Sequence, residues 1–304
     1  MSGSPESTAA GRGAGSSSGT GMAAALGAYT IWGLVPLFFK ELAAVPATEI
    51  IAHRVVWSLL LMAALLGLWR GFAAVRPVLR DPAQLARIAL AAAMVMGNWL
   101  TFVYGVNAGR ILETSLGYFI LPLFSIALGM AVLHERLRPV QWVAVGFATA
   151  GVAIEAWRAG GLPWISLVLA GTFAIYGLLR KRLPLDAASG LFLETLCMGP
   201  PALLYLGWLW AQGEASFGAL LARDLLLVAS GVITAVPLLL FAIGARRLPL
   251  NVLGFLQYTA PTLTFLLAVF HYGEPMPGVR LAAFTLIWTG LAIFTADLLR
   301  ERRG

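Results

Sequence analysis

Charged side chains interrupt the start of a strongly apolar stretch, residues 48–69. Glu49, His53 and Trp57 are spaced four residues apart, so on a helix they share one face. Arg54 lies directly beside that face. A histidine near a carboxylate can bind and release a proton, and an arginine can bind the carboxylate or phosphate group of a solute. These residues predict a polar and aromatic face that lines a cavity within the membrane.

Two interpretations of Arg54 remain open. If Thr48 caps the helix, Arg54 lies about 9 Å below the membrane surface, and its long side chain can still reach the interface as an anchor. Alternatively, Arg54 faces the interior of the bundle, where an unpaired charge costs roughly 2.5–3.5 kcal/mol. That cost predicts an acidic partner, and we expect it to be Glu113, at the outer start of the fourth apolar segment. For His53, ordinary packing is the alternative role.

Two further charged residues are candidates for solute or proton binding. Lys40 is one of only two lysines in a chain with 21 basic residues, which favours a site that needs a compact ammonium, with an interfacial anchor as the alternative. Glu194 lies eight residues after Asp186, about 12 Å along a helix, so we expect either a buried ion pair or a proton carrier.

Uncharged polar and aromatic side chains at membrane depth complete the predicted cavity. Taken singly, each is also consistent with an interhelical hydrogen bond or an interfacial aromatic. Taken together, they suit a cavity in which a few polar groups lie among rings. The candidates are Asn98, Trp99, Tyr104, Tyr118, Tyr176, Gln257 and Tyr258.

The elements that would position these residues are membrane helices. The 304-residue chain is 60% hydrophobic and only 12% charged, with a mean hydropathy of +0.84. A membrane-spanning helix needs about 20 mostly apolar residues, and ten segments meet that requirement. They cover residues 22–40, 48–69, 85–107, 112–133, 139–157, 162–180, 187–211, 220–244, 250–272 and 278–299.

The distribution of basic residues predicts the orientation. Fifteen lie in the N-terminal tail, alternate loops and C-terminal tail, five lie in the opposite loops, and Arg54 completes the 21. This bias places both termini in the cytoplasm. It also accounts for the net charge of +7 and the pI of 10.1 without a nucleic-acid partner. Residues 1–20 are Ser/Gly-rich and are expected to form a disordered cytoplasmic tail.

An internal repeat organises the helices. A shift of 139 residues aligns Pro122 with Pro261 and Gly151 with Gly290. The resulting units are residues 22–157 and 162–299, each with five helices. Because five is odd, the second unit enters the membrane with the opposite orientation. Inverted repeats are typical of secondary transporters, whose solute site lies near the midplane between the two halves.

Prolines and acidic residues at matched places predict local features. Four prolines inside apolar segments are expected to kink their helices, with the fourth and ninth bending together. They are Pro36, Pro122, Pro237 and Pro261. Glu135 and Glu274 also align in the repeat, and we expect them to cap the fifth and tenth helices.

Several stretches resemble the RarD proteins, which are bacterial members of the EamA group in the drug/metabolite transporter superfamily. They include "VPATEIIAHRVVWS", "GNWLTFVYGVN", "ETSLGYFILPL" and "LGFLQYTAPTLTFLLAVFHYGE", and the resemblance runs from about Leu26 to Leu299. It implies a ten-helix permease of the bacterial inner membrane, connected with chloramphenicol sensitivity. The resemblance does not imply a particular substrate.

Missing motifs narrow the functional class. The sequence has no HExxH, P-loop or G-x-S-x-G motif, and its only cysteine is Cys197. We therefore expect no cofactor, no metal and no primary pump. The prediction is an all-α, ten-helix permease that moves a small organic solute, anionic or zwitterionic, by alternating access, with export favoured. The alternatives are a membrane receptor or scaffold without transport activity, and an integral-membrane enzyme.

Overall fold

The computed structural model describes residues 7–68, 71–108, 110–158, 160, 164–273 and 278–301. These residues form helices joined by short turns. In chain order, the helices are α1 (Ser7–Lys40), α2 (Ala47–Leu68), α3 (Phe72–Leu79), α4 (Pro82–Asn107), α5 (Ile111–Leu133), α6 (Pro139–Arg158), α7 (Trp164–Arg182), α8 (Ala187–Gln212), α9 (Leu221–Arg247), α10 (Leu250–Gln257), α11 (Thr259–Leu266) and α12 (Gly278–Glu301).

Ten helical stretches in the described part of the chain are long and apolar enough to cross a membrane. Nine of these stretches lie within single helices. The exception is Leu250–His271, the ninth stretch in chain order, which consists of α10, α11 and a π-helical turn over Leu267–His271. Helix α3 has only eight residues and connects two spans. The predicted all-α fold with ten membrane helices is confirmed.

The first helix begins earlier than expected. Helix α1 starts at Ser7, whereas the membrane-spanning part of it starts at Gly19. Helix therefore replaces the predicted disorder over residues 7–20, and residues 1–6 lie outside the described part. Extending an existing helix costs far less than starting a new one, so a Ser/Gly-rich segment can continue a helix that the apolar span has begun.

Two acidic side chains cap helix starts at one end of the bundle. The Asp186 carboxylate accepts hydrogen bonds of 2.9 Å from the backbone N–H groups of Ala188 and Ser189 and so caps α8. Glu135 was expected to cap the fifth span. Instead it accepts from the N–H groups of Leu250 and Asn251, at 2.7 and 2.9 Å, and caps α10 in the other half. The sequence neighbour was the wrong partner because tertiary packing brings the start of α10 against Glu135. Glu274 lies outside the described residues.

Of the four predicted kink positions, one coincides with a break in a helix. Helices α10 and α11 are separated at Tyr258. Pro261 has no N–H to donate to the carbonyl of Gln257, four residues earlier, which accounts for the interruption. Helices α1, α5 and α9 each continue unbroken through Pro36, Pro122 and Pro237. Bending at those three prolines remains a prediction.

The helix pairings repeat between the two halves. Helix α5 packs on α7, and its counterpart α11 packs on α1. Likewise α1 packs on α9, and α7 packs on α4. Helices α2 with α8, α5 with α10, and α6 with α12 pair across the halves. A buried aromatic cluster fills the junction of α1, α7 and α9, and it includes Trp32, Phe173 and Phe241.

The contact between α6 and α12 is reciprocal. A Cβ atom on Gly151 would lie 2.6 Å from the Ala283 carbonyl oxygen, and one on Gly290 would lie 2.7 Å from that of Ala144. Ala144 and Ala283 are separated by 139 residues, as are the two glycines. Reciprocal contacts of this kind require a local two-fold axis. Because the partners run antiparallel, the axis is perpendicular to the helices, which is the symmetry of an inverted repeat.

Candidate solute-binding site

Arg54 lies where helices from both halves meet. Its Nε donates a 2.8 Å hydrogen bond to the Thr234 hydroxyl on α9. The guanidinium carbon lies 4.5 Å from the ring centroid of Trp99 on α4 and 5.2 Å from that of Phe39 on α1. Helices α1, α2, α4 and α9 thus converge on one cation that contacts aromatic faces. Such contacts stabilise a desolvated cation by about 2 kcal/mol.

Close packing of α2 on α9 fixes this arrangement. A Cβ atom on Gly231 would lie 2.5 Å from the Cβ atom of Trp57, so only glycine allows the approach. The Ser58 hydroxyl donates a 3.0 Å hydrogen bond to the Gly231 carbonyl. Thr234, almost one turn further along α9, is thereby held within hydrogen-bonding distance of Arg54.

Tyr118 on α5 adds a phenol to this cluster. It interacts electrostatically with Arg54, and its ring lies 6.0 Å from that of Phe102. The side chain of Tyr118 is 40% exposed, and Arg54 is only half-buried. We call Phe39, Arg54, Trp99, Tyr118 and Thr234 the Arg54 cluster. It presents a positive charge, a phenol and aromatic faces, which together can bind an anionic group attached to an apolar or aromatic body.

The predicted pairing of Arg54 with Glu113 is not formed. Glu113 instead accepts a 2.5 Å hydrogen bond from Nε of Arg110, which lies three residues earlier in the chain. Arg110 lies within the same turn, so it reaches the carboxylate before a residue from another helix can. Among the described acidic residues, none lies within ion-pair distance of Arg54.

The face formed by Glu49, His53 and Trp57 is packed rather than open. Glu49 is fully buried and accepts from Ser216, at 2.7 Å from the backbone N and 2.8 Å from the hydroxyl. His53 stacks on Phe217, with ring centroids 5.1 Å apart. These three residues were expected to line the cavity. They instead attach α2 to the α8–α9 connection, because that connection folds back over the start of α2.

His53 has a defined tautomer in this arrangement. Its Nδ1 accepts from Trp57 Nε1 at 3.3 Å, and its buried Nε2 lies 3.9 Å from Glu49 Oε1. The indole N–H can only donate, so Nδ1 carries no proton and the neutral ring holds its proton on Nε2. Protonation would therefore have to displace Trp57 from Nδ1.

Glu194 lies in a buried ion pair, which was one of its two expected roles. Its carboxylate accepts from Arg180 Nη1 at 3.1 Å and from the Tyr176 hydroxyl at 3.0 Å. The side chains of Arg180 and Glu194 are 1% and 0% exposed. A Cβ atom on Gly190 would lie 1.9 Å from Arg180 Nη1, so glycine is needed beside the pair. Tyr176, a predicted cavity residue, belongs to this cluster.

The remaining candidates are distributed over separate contacts. Lys40 is exposed at the end of α1, with its ammonium 3.6 Å from the ring centroid of Tyr272. Asn98 donates to the Leu169 carbonyl at 2.8 Å and so joins α4 to α7. Tyr104 is 53% exposed, and its ring lies 5.7 Å from that of Trp164.

Two candidates on the broken ninth span form structural hydrogen bonds. Gln257 accepts from the Ser125 hydroxyl at 3.0 Å, and the Tyr258 hydroxyl donates to the Phe119 carbonyl at 3.3 Å. Both bonds join this span to α5 across the halves. Among the described residues, no group of three or more His, Cys, Asp or Glu side chains is arranged to hold a metal ion.

Three important residues were missed in the sequence. Phe39 and Thr234 carry no pattern that distinguishes them from other apolar or small residues in their helices. Arg180 could have been found, because it lies six residues before Asp186 while Glu194 lies eight after it. In two adjacent helices joined by one turn, residues at similar distances before and after the turn lie at similar depths in the membrane.

Comparisons with known proteins agree with this architecture. Residues 19–156 match the EamA-like transporter family. The chain is 47% identical to a protein described as an uncharacterized transporter from Pseudomonas aeruginosa, over 91% of this chain and 94% of that one. It is 43% identical to the protein RarD of Escherichia coli, over 93% and 96% of the two chains.

More distant similarities extend over the same length. A Pseudomonas aeruginosa relative named chloramphenicol-sensitive protein RarD is 36% identical over 94% of this chain and 99% of its own. A solved crystal structure has the same fold, with a TM-score of 0.68, 24% identity and coverage of 95% of this chain and 98% of that one. The expected family is confirmed: the chain belongs to the RarD group of EamA-type transporters, multi-pass proteins of the bacterial inner membrane.

Proposed function

We propose that this protein is a secondary permease that exports a small organic anion or zwitterion by alternating access, with Arg54 as the cation that binds the solute. One observation carries the proposal. Arg54 lies between the two halves, retains accessible surface and has no ion-pair partner among the described carboxylates. A solute carboxylate or phosphate supplies the counter-charge, and Trp99 and Phe39 contact its apolar part.

The geometry also supports different roles for the residues of the Arg54 cluster in solute binding. Thr234 holds the Nε edge of the guanidinium, which leaves the Nη groups for bidentate contact with a solute anion. Tyr118 contributes a hydroxyl close to the same charge. Binding energy is thus concentrated on one anionic group, and the aromatic faces tolerate different attached bodies. This arrangement suits selection by charge more than by detailed shape.

The test measures binding and flux of purified protein against a panel of organic anions, zwitterions and cations. We expect anions to bind best and Arg54→Ala to weaken that binding about 10- to 100-fold, since a charge-assisted hydrogen bond contributes about 1.5–3 kcal/mol. Arg54→Lys should recover only part, because lysine lacks the bidentate fork. Thr234→Val removes the hydroxyl with little change in shape and should weaken binding less.

Arg158→Ala is the matched control, since it removes an arginine that pairs with Glu155 in the last turn of α6 and is not part of the Arg54 cluster. It should leave binding and flux unchanged. Equal binding of anions and cations, or full anion binding by correctly folded Arg54→Ala protein, would contradict the proposal. Binding without any flux under imposed gradients would favour a receptor.

Both termini are proposed to lie in the cytoplasm, from the distribution of basic residues. A reporter that is active only outside the cytoplasm, fused after Gly304, should give no signal. A reporter inserted in the α8–α9 connection should give a strong one. The reverse pattern would refute this orientation.

A further inference from the structure

A cleft of 590 Å³ separates the start of α8 from the last turns of α9. It lies at the end of the bundle that also contains the α7–α8 turn, and its two arginines follow Thr234 by 12 and 13 residues along α9. Its lining includes Asp186 and Ala188 from the α8 side, and Leu239, Ile243, Arg246 and Arg247 from α9. None of these residues belongs to the Arg54 cluster.

The side chains on the α9 wall of the cleft change from apolar to cationic along the helix. Leu239 and Ile243 are half-buried and spaced four residues apart, so they form an apolar stripe. Arg246 and Arg247 follow in the last turn of the same helix, and both are exposed. From Leu239 to Arg247 the helix rises about 12 Å. The wall is therefore apolar towards the membrane interior and cationic at the membrane surface.

The opposite wall balances only one of these two positive charges. Asp186 provides one negative charge, which interacts with Arg246, and its carboxylate also accepts hydrogen bonds from the N–H groups of Ala188 and Ser189. Behind the wall, Arg180 donates to the Ala187 carbonyl, and its own charge is balanced by Glu194. Two arginines against one aspartate leave an excess of one positive charge around the cleft.

We propose that this cleft binds an anionic phospholipid from the leaflet at this end of the bundle. The phosphate contacts Arg246 and Arg247, and an acyl chain lies along Leu239 and Ile243. A free anion would leave the apolar stripe uncovered, and a zwitterionic lipid would leave the excess positive charge unbalanced. The inference is independent of the proposed solute and of transport itself.

The experiment uses the full-length protein in detergent, titrated with dioleoyl phosphatidylglycerol or dioleoyl phosphatidylcholine and read by native mass spectrometry. We expect a preferred first phosphatidylglycerol. Each arginine near a membrane surface contributes about fivefold to anionic-lipid affinity, so Arg246→Gln/Arg247→Gln should weaken it about thirtyfold. Phosphatidylcholine binding should be unchanged in that variant.

The control variant is Arg87→Gln/Arg300→Gln, which removes two exposed arginines from the same end of the bundle but away from the cleft. It should keep the phosphatidylglycerol preference. Ala188→Leu fills the cleft without changing charge and should weaken binding of the first lipid. The inference is wrong if the Arg246/Arg247 variant keeps its preference, if the control loses as much, or if inorganic phosphate displaces the lipid at equal concentration. Solute flux is not measured, so these outcomes do not depend on the proposed function.

Discussion

Glu194→Gln tests whether the buried pair with Arg180 is structural. The substitution keeps the shape of the side chain but leaves the Arg180 guanidinium charged and buried at 1% exposure. Removing one partner of a buried pair costs about 3–5 kcal/mol, because the other charge loses its compensation. The free energy of unfolding should fall by that amount, and the melting temperature by on the order of 10 °C.

The assay is thermal unfolding of the purified protein in one detergent, followed by intrinsic fluorescence. Tyr176→Phe removes a single hydrogen bond to the carboxylate and should cost less than Glu194→Gln. The double variant Arg180→Met/Glu194→Leu removes both charges and should recover most of the lost stability, since apolar replacement of a buried pair is often neutral.

A different outcome would refute this reasoning. If Glu194→Gln melts like the unmodified protein, Arg180 is not held by a charged carboxylate. If the same variant also loses the pH dependence of solute flux, Glu194 is the proton carrier that was its other expected role. Lost stability in Glu194→Gln with no recovery in the double variant would instead show that the site needs a polar network.

Two further predictions concern packing and capping. Gly151→Ala should destabilise the protein by about 1–3 kcal/mol in thermal unfolding, because the added Cβ would collide with the Ala283 carbonyl. The control is Gly146→Ala on the same helix, whose added Cβ meets no atom within 4 Å and should be neutral or stabilising. Asp186→Ala should cost about 1 kcal/mol at pH 7. Burial raises the pKa of Asp186, but hydrogen bonds from Ser189 and Ala188 outweigh this effect and keep the pKa below its ordinary value. The contribution of Asp186 to stability is therefore present above about pH 4, the ordinary pKa of an aspartate, and is lost as the pH falls through the lowered pKa. The melting temperatures of the two proteins should therefore converge in acid, and a constant difference would contradict the capping role.

The sequence was sufficient for the architecture because the membrane imposes simple rules. A helix that crosses the bilayer needs a fixed apolar length, which yields the number and order of spans. The repeat was visible because Gly151 and Gly290 are needed at equivalent contacts of α6 and α12. Depth was also readable, since Glu194 was expected to be either a member of a buried ion pair or a proton carrier, and it pairs with Arg180.

Side-chain partners were less predictable because they depend on helix rotation and on chain segments that fold back. Arg54 and Glu113 were expected to pair, yet Arg110 lies three residues before Glu113 and binds its carboxylate. Glu49 looked like a cavity residue until the α8–α9 connection brought Ser216 onto it. Neither event leaves a periodic signal, so predicting them requires the packed structure.

Arg54 has no ion-pair partner among the carboxylates that the structure describes, and this has an electrical consequence for the proposed transport cycle. A carrier that holds an uncompensated cation moves charge when it changes conformation empty. Full transfer of one elementary charge against 100 mV requires about 2.3 kcal/mol. With a monovalent anion bound, the pair is neutral and crosses the field without electrical work. Membrane voltage would then act on the return of the empty protein, and the cell's resting potential would set how often the cycle repeats.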